Sequence, residues 1–138
     1  MNAVLVDSNI LLDVMSGDGR WAAWSADTLA RVADSHRLFI NSIVYAEISI
    51  RFSRIEELDE ALTPDVLTRE PIPYEAAFLA GKVFVAYRRA GGTRTAPLPD
   101  FFIGAHAAVT GASLLTRDTA RYRTYFPTVN LIAPDKTQ

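Results

Sequence analysis

The stretch that decides the fold is residues 3–15, AVLVDSNILLDVM. Its first four residues form a short apolar run with two β-branched valines. From residue 10 onward the apolar positions follow a helical period. A short apolar run that passes at once into helical spacing reads as a buried strand feeding a helix. Ser8 or Asn9 is placed to cap that helix, over about residues 10–15, and Gly17 and Gly19 end it. The turn between strand and helix carries one acid, Asp7.

The same reading extends along the chain. A second helix is expected over residues 21–35, with Trp24, Leu29 and Val32 among its apolar positions. A strand follows at 38–40, and Asn41 or Ser42 caps a third helix running to about residue 54. Residues 55–62 read as a short helix stopped near Pro64, and 66–69 as a strand. The spacing of Phe78, Leu79, Val83, Phe84 and Tyr87 predicts a helix over 74–89 with these residues on one face, ended by Gly91–Gly92. Pro99 suits the first position of a helix over 99–111. Strands at 113–116 and 129–133 and a polar tail at 134–138 complete the chain. Strands alternating with helices imply a three-layer α/β/α sandwich with a mostly parallel central sheet. The length of 138 residues fits a single domain, 1–138.

Composition narrows the chemistry. The chain has no cysteine, so disulfides and thiolate metal sites are excluded, and a cytoplasmic location is compatible with that. The N-terminus has no basic stretch, and Asp7 interrupts its apolar run, so it does not read as a signal peptide. The longest stretch without a formal charge, residues 101–116, is shorter than a bilayer span usually needs, and no membrane segment is expected. The net charge of −2 does not mark a nucleic-acid binder. Its distribution says more: residues 88–123 hold six arginines, no lysine, and only two acids, Asp100 and Asp118. Arginine suits bidentate contact with phosphate, although a solvated surface would also explain the cluster.

Four acids stand out against this frame. Asp7 ends the first strand, and Asp118 follows the strand at 113–116. Ligands of an open parallel sheet bind beyond the carboxyl ends of its strands. Each of the two also has a local explanation, as a turn residue or a cap. Glu47 lies beside the apolar stripe of SIVYAEISI, with Ile43, Val44, Ile50 and Arg51 as its neighbours one turn away. A buried carboxylate needs a partner, which could be Arg51 or a cation from solvent. Asp100 sits in the first turn of its helix, at the positive end of the helix dipole. If that helix starts at the strand ends, all four acids share one edge, where their repulsion would raise their pKa values unless a cation were present. Oxygen donors alone suit Mg²⁺ or Mn²⁺, and such a site flanked by arginines fits phosphodiester chemistry.

LVDSNILLDV, NSIVYAEIS, LPDFFIGAHA and LLTRDTARYRTYFP, in this order and spacing, resemble the PIN-domain ribonucleases. The likeness is greatest to the VapC-type toxins of bacterial toxin–antitoxin pairs, and it covers nearly the whole chain. It implies a metal-dependent endoribonuclease with Asp7, Glu47, Asp100 and Asp118 as its catalytic quartet. Asp7 and Asp100 match the usual metal ligands, and Glu47 and Asp118 complete the pocket. Asn9 and Thr116 match positions that support the site by hydrogen bonding. Arg88, Arg89, Arg94, Arg117 and Arg121 are candidates for RNA contact. The resemblance further implies an ion-activated water as nucleophile, products with a 5′-phosphate and a 3′-hydroxyl, a cognate antitoxin, and a homodimer. The antitoxin groove would lie between residues 43–52 and 12–32.

Other residues have simpler readings. His106 is expected to be packed and hydrogen-bonded, Asp13 to be at the surface, and Trp21, Trp24, Phe101 and Phe102 to be core or dimer contacts. A haloacid-dehalogenase-type phosphatase would want D-x-D after the first strand, where this chain has Asp7-Ser8-Asn9. A receiver domain would want a late lysine, and the only lysines are Lys82 and Lys136. A housekeeping PIN nuclease of RNA maturation and a non-catalytic binding module are the remaining alternatives.

Overall fold

A computed structural model describes residues 2–17, 19–62 and 66–134. Among these residues five short strands, β1 (Ala3–Val6), β2 (Arg37–Ile40), β3 (Leu67–Arg69), β4 (Ser113–Leu115) and β5 (Leu131–Ile132), form one sheet in the order β3-β2-β1-β4-β5. Every neighbouring pair is parallel, so the expected mostly parallel sheet is an all-parallel one. Among the described residues seven helices connect and cover it: α1 (Ser8–Ser16), α2 (Ala22–Ala33), α3 (Ser42–Ser49), α4 (Ile55–Ala61), α5 (Tyr74–Arg89), α6 (Pro99–Thr110) and α7 (Ala120–Tyr125).

The strand order positions the site. From β1 the chain steps outward to β2 and β3, then returns to β4 and β5 on the other side of β1. Crossovers between parallel strands are right-handed, so α1–α4 cover one face and α5–α7 the other. The direction of winding reverses between β1 and β4, and the crevice at their carboxyl ends is the ligand position of such a sheet. Val4, Leu5 and Val6 of the central β1 are wholly buried, as a strand covered on both faces requires.

Several elements differ from the sequence reading. α3 ends at Ser49, short of residue 54. The Ser49 hydroxyl donates to the Ala46 carbonyl, and the amides of Arg51 and Phe52 bond three residues back, which tightens the chain out of the helix. Phe78 does not share the inward face of α5. It is 68% exposed beneath the Lys82 ammonium, while Ala76, Ala80 and Val83 are buried. Small residues there let α5 lie close along α6. Residues 120–125 form a helix in a stretch to which the sequence reading assigned no element. The strands at 66–69 and 129–133 are shorter than expected. Pro64 and the tail from residue 135 lie outside the described residues.

Two helical glycines give opposite expectations. A Cβ on Gly104 of α6 would lie 2.3 Å from the ring of the buried Phe126, whereas one on Gly81 of α5 meets open space. Gly81→Ala should raise stability by up to ~1 kcal/mol through helix propensity. Gly104→Ala should lower it by about 1–3 kcal/mol, because the core must shift to admit the methyl group. Urea unfolding of both variants checks the pair.

Candidate active site

Asp7 leaves β1 in extended conformation and is itself the N-cap of α1, in place of Ser8 or Asn9. Its amide donates to the Leu115 carbonyl at 2.9 Å, which pins the end of β1 to the end of β4. Its Oδ1 accepts from the Ser8 amide at 2.8 Å, and its Oδ2 accepts from the Thr116 hydroxyl at 2.8 Å. Asn9 stands beside both: its Nδ2 is 3.3 Å from Thr116 Oγ1, and its Oδ1 accepts from the Arg117 amide at 3.2 Å. The Asp118 amide donates to Thr116 Oγ1 at 3.1 Å. Asn9 and Thr116 thus tie the turns after β1 and β4 into one unit.

The other acids arrive from separate elements. Glu47, on α3, accepts from the Ser8 hydroxyl at 2.9 Å through Oε1, and no Glu47–Arg51 ion pair forms. Asp100, in the first turn of α6 after Pro99, has its Oδ2 3.3 Å from Arg121 Nη1. Tyr122 of α7 places its hydroxyl 3.1 Å from Asp7 Oδ2 and 3.3 Å from Asp100 Oδ1. Asp118 is exposed at the rim, beside an open cleft of about 330 Å³ that it lines with Ala120, Arg121 and Thr124. The structure therefore brings Asp7, Glu47 and Asp100 together, with Asp118 within electrostatic reach of Asp100. The sequence reading missed Tyr122. Nothing in ARYRTY marked it, because six residues are too few to show a helical period.

The electrostatics follow from burial. Desolvation pushes the Asp7 carboxyl above its ordinary value; the Thr116 hydroxyl opposes this, and the charge of Asp100 adds to it. Burial also raises Glu47, against the Ser8 hydrogen bond and with the charges of Asp7 and Asp100. Burial raises Asp100 as well, with Arg121 opposing and Asp118 reinforcing. Burial and the two neighbouring aspartates push the Tyr122 phenol up, so it remains a neutral O–H donor.

This donor set suits a hard divalent ion. It is made only of oxygen, and its carboxylates raise one another's pKa in a way that a cation would relieve. Among the described residues no group of three or more acids or histidines is arranged to hold a metal ion. Mg²⁺ does not need one, because it keeps several waters and binds through one or two carboxylates.

The arginines divide into groups. Arg121 faces Asp100. Arg117 is bound twice to Asp13, at 2.5 and 2.9 Å, and lies over the Trp21 ring. Asp13 is therefore an anchor and not a surface acid: its side chain is only 13% exposed and also accepts from Ser25. Arg88, Arg89 and Arg94 are exposed where α5 ends and the chain leads to α6, and Arg88 donates to the Arg94 carbonyl. His106 is buried as expected, with Nδ1 3.0 Å from Asn41 Nδ2. A hollow of about 400 Å³ over β2 and β3, lined by Ile40, Tyr45, Ile55 and Arg69, holds none of the four acids.

Residues 4–127 match the family model described as PIN domain. A chain of VapBC2 from Rickettsia felis, solved with a DNA fragment from its promoter, superposes with a TM-score of 0.74 at 19% identity over 96% of this chain and 99% of that one. DNA-bound VapBC from Salmonella typhimurium gives 0.68 at 18%, covering 96% and 98%. A toxin–antitoxin complex from Klebsiella pneumoniae gives 0.67 at 22%, also covering 96% and 98%. No curated protein sequence matches the chain significantly. Among the described residues no helix is long and apolar enough to cross a membrane.

Because these carboxyls titrate higher in the folded than in the unfolded chain, the folded state holds protons that unfolding releases. Their contribution to stability is full below the unfolded carboxyl range and is lost as pH rises through the raised values. In metal-free protein the contribution of these three carboxyls should therefore be lost from about pH 4 toward neutrality, against that of His106, whose pKa burial lowers in parent and variant alike. Asp100→Asn should flatten that loss and melt at or above the parent at neutral pH. Asp59, lowered by the Tyr45 hydroxyl and by Arg69, titrates alike in both proteins and cancels. Thermal unfolding in EDTA at stepped pH measures both slopes, and equal slopes would contradict the expectation.

Proposed function

The chain belongs to the PIN-domain family, and from that premise we propose that it is a divalent-metal-dependent endoribonuclease, the toxin of a toxin–antitoxin pair. One observation carries the reading: Asp7, Glu47 and Asp100 meet from three elements at the crevice between β1 and β4, although burial and repulsion oppose their ionisation. We take residues 1–138 as a single PIN domain with these acids and Asp118 as its catalytic quartet.

A bound Mg²⁺ or Mn²⁺ ion would supply Lewis acidity and lower the pKa of water. Asp7 and Asp100 would hold the ion, with Asp118 contributing from the rim. Glu47 Oε1 is occupied by Ser8, which leaves Oε2 to take the proton of an attacking water. Water adds across the P–O3′ bond, leaving a 5′-phosphate and a 3′-hydroxyl. Asn9 and Thr116 keep Asp7 oriented. Arg121, in contact with Asp100, is the leading candidate to meet a phosphate oxygen. Arg88, Arg89 and Arg94 would steer the RNA backbone toward the cleft. Arg117, committed to Asp13, is the weakest of the five.

The proposed partners are RNA, an antitoxin seated in the groove bounded by α1, α2 and α3, and a second copy of the chain. α5 leaves Tyr74 and Phe78 exposed for such a contact. The relatives of the same fold were solved as VapBC complexes, which supports the antitoxin. The proposed compartment is the cytoplasm.

The reading is tested by incubating antitoxin-free protein with a pool of structured RNA in Mg²⁺, Mn²⁺ or EDTA. Cutting should require a metal, and Asp7→Ala and Asp100→Ala should each reduce it by at least about 100-fold per folded molecule. Cutting that persists in EDTA, or in either variant, would refute the assignment.

A further inference from the structure

Tyr122 is wholly buried, yet its hydroxyl is spent on two acids and not on the core. A phenylalanine would fill the same space without placing a polar group there. The two acids are carried by unconnected elements: Asp7 by the turn after β1, and Asp100 by the first turn of α6, ninety-odd residues on. We propose that the Tyr122 hydroxyl is the positioning group of the metal centre, joining Asp7 Oδ2 and Asp100 Oδ1 at one point and so setting the spacing of the two carboxylates for a divalent ion. The inference rests on the metal-dependent reading above and adds to it a residue outside the acidic quartet.

The geometry supports this in three ways. A hydroxyl 3.1 Å from one carboxylate oxygen and 3.3 Å from the other keeps those atoms within two hydrogen-bond lengths. A divalent ion held by both carboxylates would need them close, and among the described residues Tyr122 is the side chain that hydrogen-bonds both. The two acids are unequally supported without it. Asp7 Oδ2 also has the Thr116 hydroxyl, whereas among the described residues Asp100 Oδ1 receives no other donor. The phenol has one proton to give, so it serves one acid at a time and leaves the other oxygen accessible to a cation. The support is also rigid. The Tyr122 carbonyl accepts from the Phe126 amide at 2.8 Å, and Arg121, its neighbour on α7, contacts the other Asp100 oxygen. Side chains that orient metal ligands typically carry a roughly 10- to 100-fold effect on affinity.

The test is calorimetric titration of Mn²⁺ into the parent, Tyr122→Phe and Asp100→Asn proteins, with melting in EDTA recorded for each. Tyr122→Phe should keep the ring packing and remain folded in EDTA, and should bind Mn²⁺ roughly 10- to 100-fold more weakly with unchanged stoichiometry. Its RNA cleavage should return when Mn²⁺ is raised in proportion, unlike that of Asp100→Asn. A folded Tyr122→Phe protein that binds Mn²⁺ as tightly as the parent would overturn the positioning role and leave the nuclease reading intact. So would one that melts lower with unchanged affinity, which would make Tyr122 a packing residue. A parent that binds no Mn²⁺ would overturn the metal reading and this inference together.

Discussion

The buried carboxylate of Asp7 is the constraint on which the rest of this structure depends. It lies at the end of the central strand, in the crevice where the winding of the sheet reverses. A desolvated carboxylate there is costly unless donors surround it. The Ser8 amide, the Thr116 hydroxyl and the Tyr122 hydroxyl are those donors. Each belongs to a different part of the chain, so satisfying one side chain fixes the start of α1, the turn after β4 and the inward face of α7 against one another.

The same arrangement sets function against stability. Asp100 and Glu47 are held near a charge that already resists ionisation, and their burial makes the repulsion worse. A fold selected for rigidity alone would replace one of them with a neutral residue. Keeping all three is understandable if a cation occupies the crevice during work. Arg121 and Tyr122 moderate the cost in its absence, one by charge and the other by hydrogen bonding. Natural sequences tolerate local conflict of this kind at functional sites.

The acids themselves were legible in the sequence, because each sits at a position with a recognisable local grammar: the end of a valine-rich strand, the apolar stripe of SIVYAEISI, the residue after Pro99, the residue after Thr116-Arg117. Their supporting contacts were only partly legible. Asn9 and Thr116 fall next to site positions and were anticipated. Tyr122 and the Asp13–Arg117 pair were not. A six-residue helix carries too few turns to show a period, and Asp13 meets a partner 104 positions away. Phe78 failed for a related reason. An apolar residue at helical spacing does not say which flank of the helix the small alanines reserve for a neighbour.

By itself, the sequence determined the order and type of the strands and of the helices up to α6, the all-oxygen character of the candidate site and the resemblance to the PIN family, because these depend on local period, composition and short motifs. Only the tertiary structure decided which acids meet, which arginines are already committed, and which hydroxyls hold the carboxylates in place. The reason is physical. Hydrogen bonds and charge repulsion act over a few ångströms, and the residues that share this crevice are brought within that range only when β1, β4, α3, α6 and α7 have packed on one sheet.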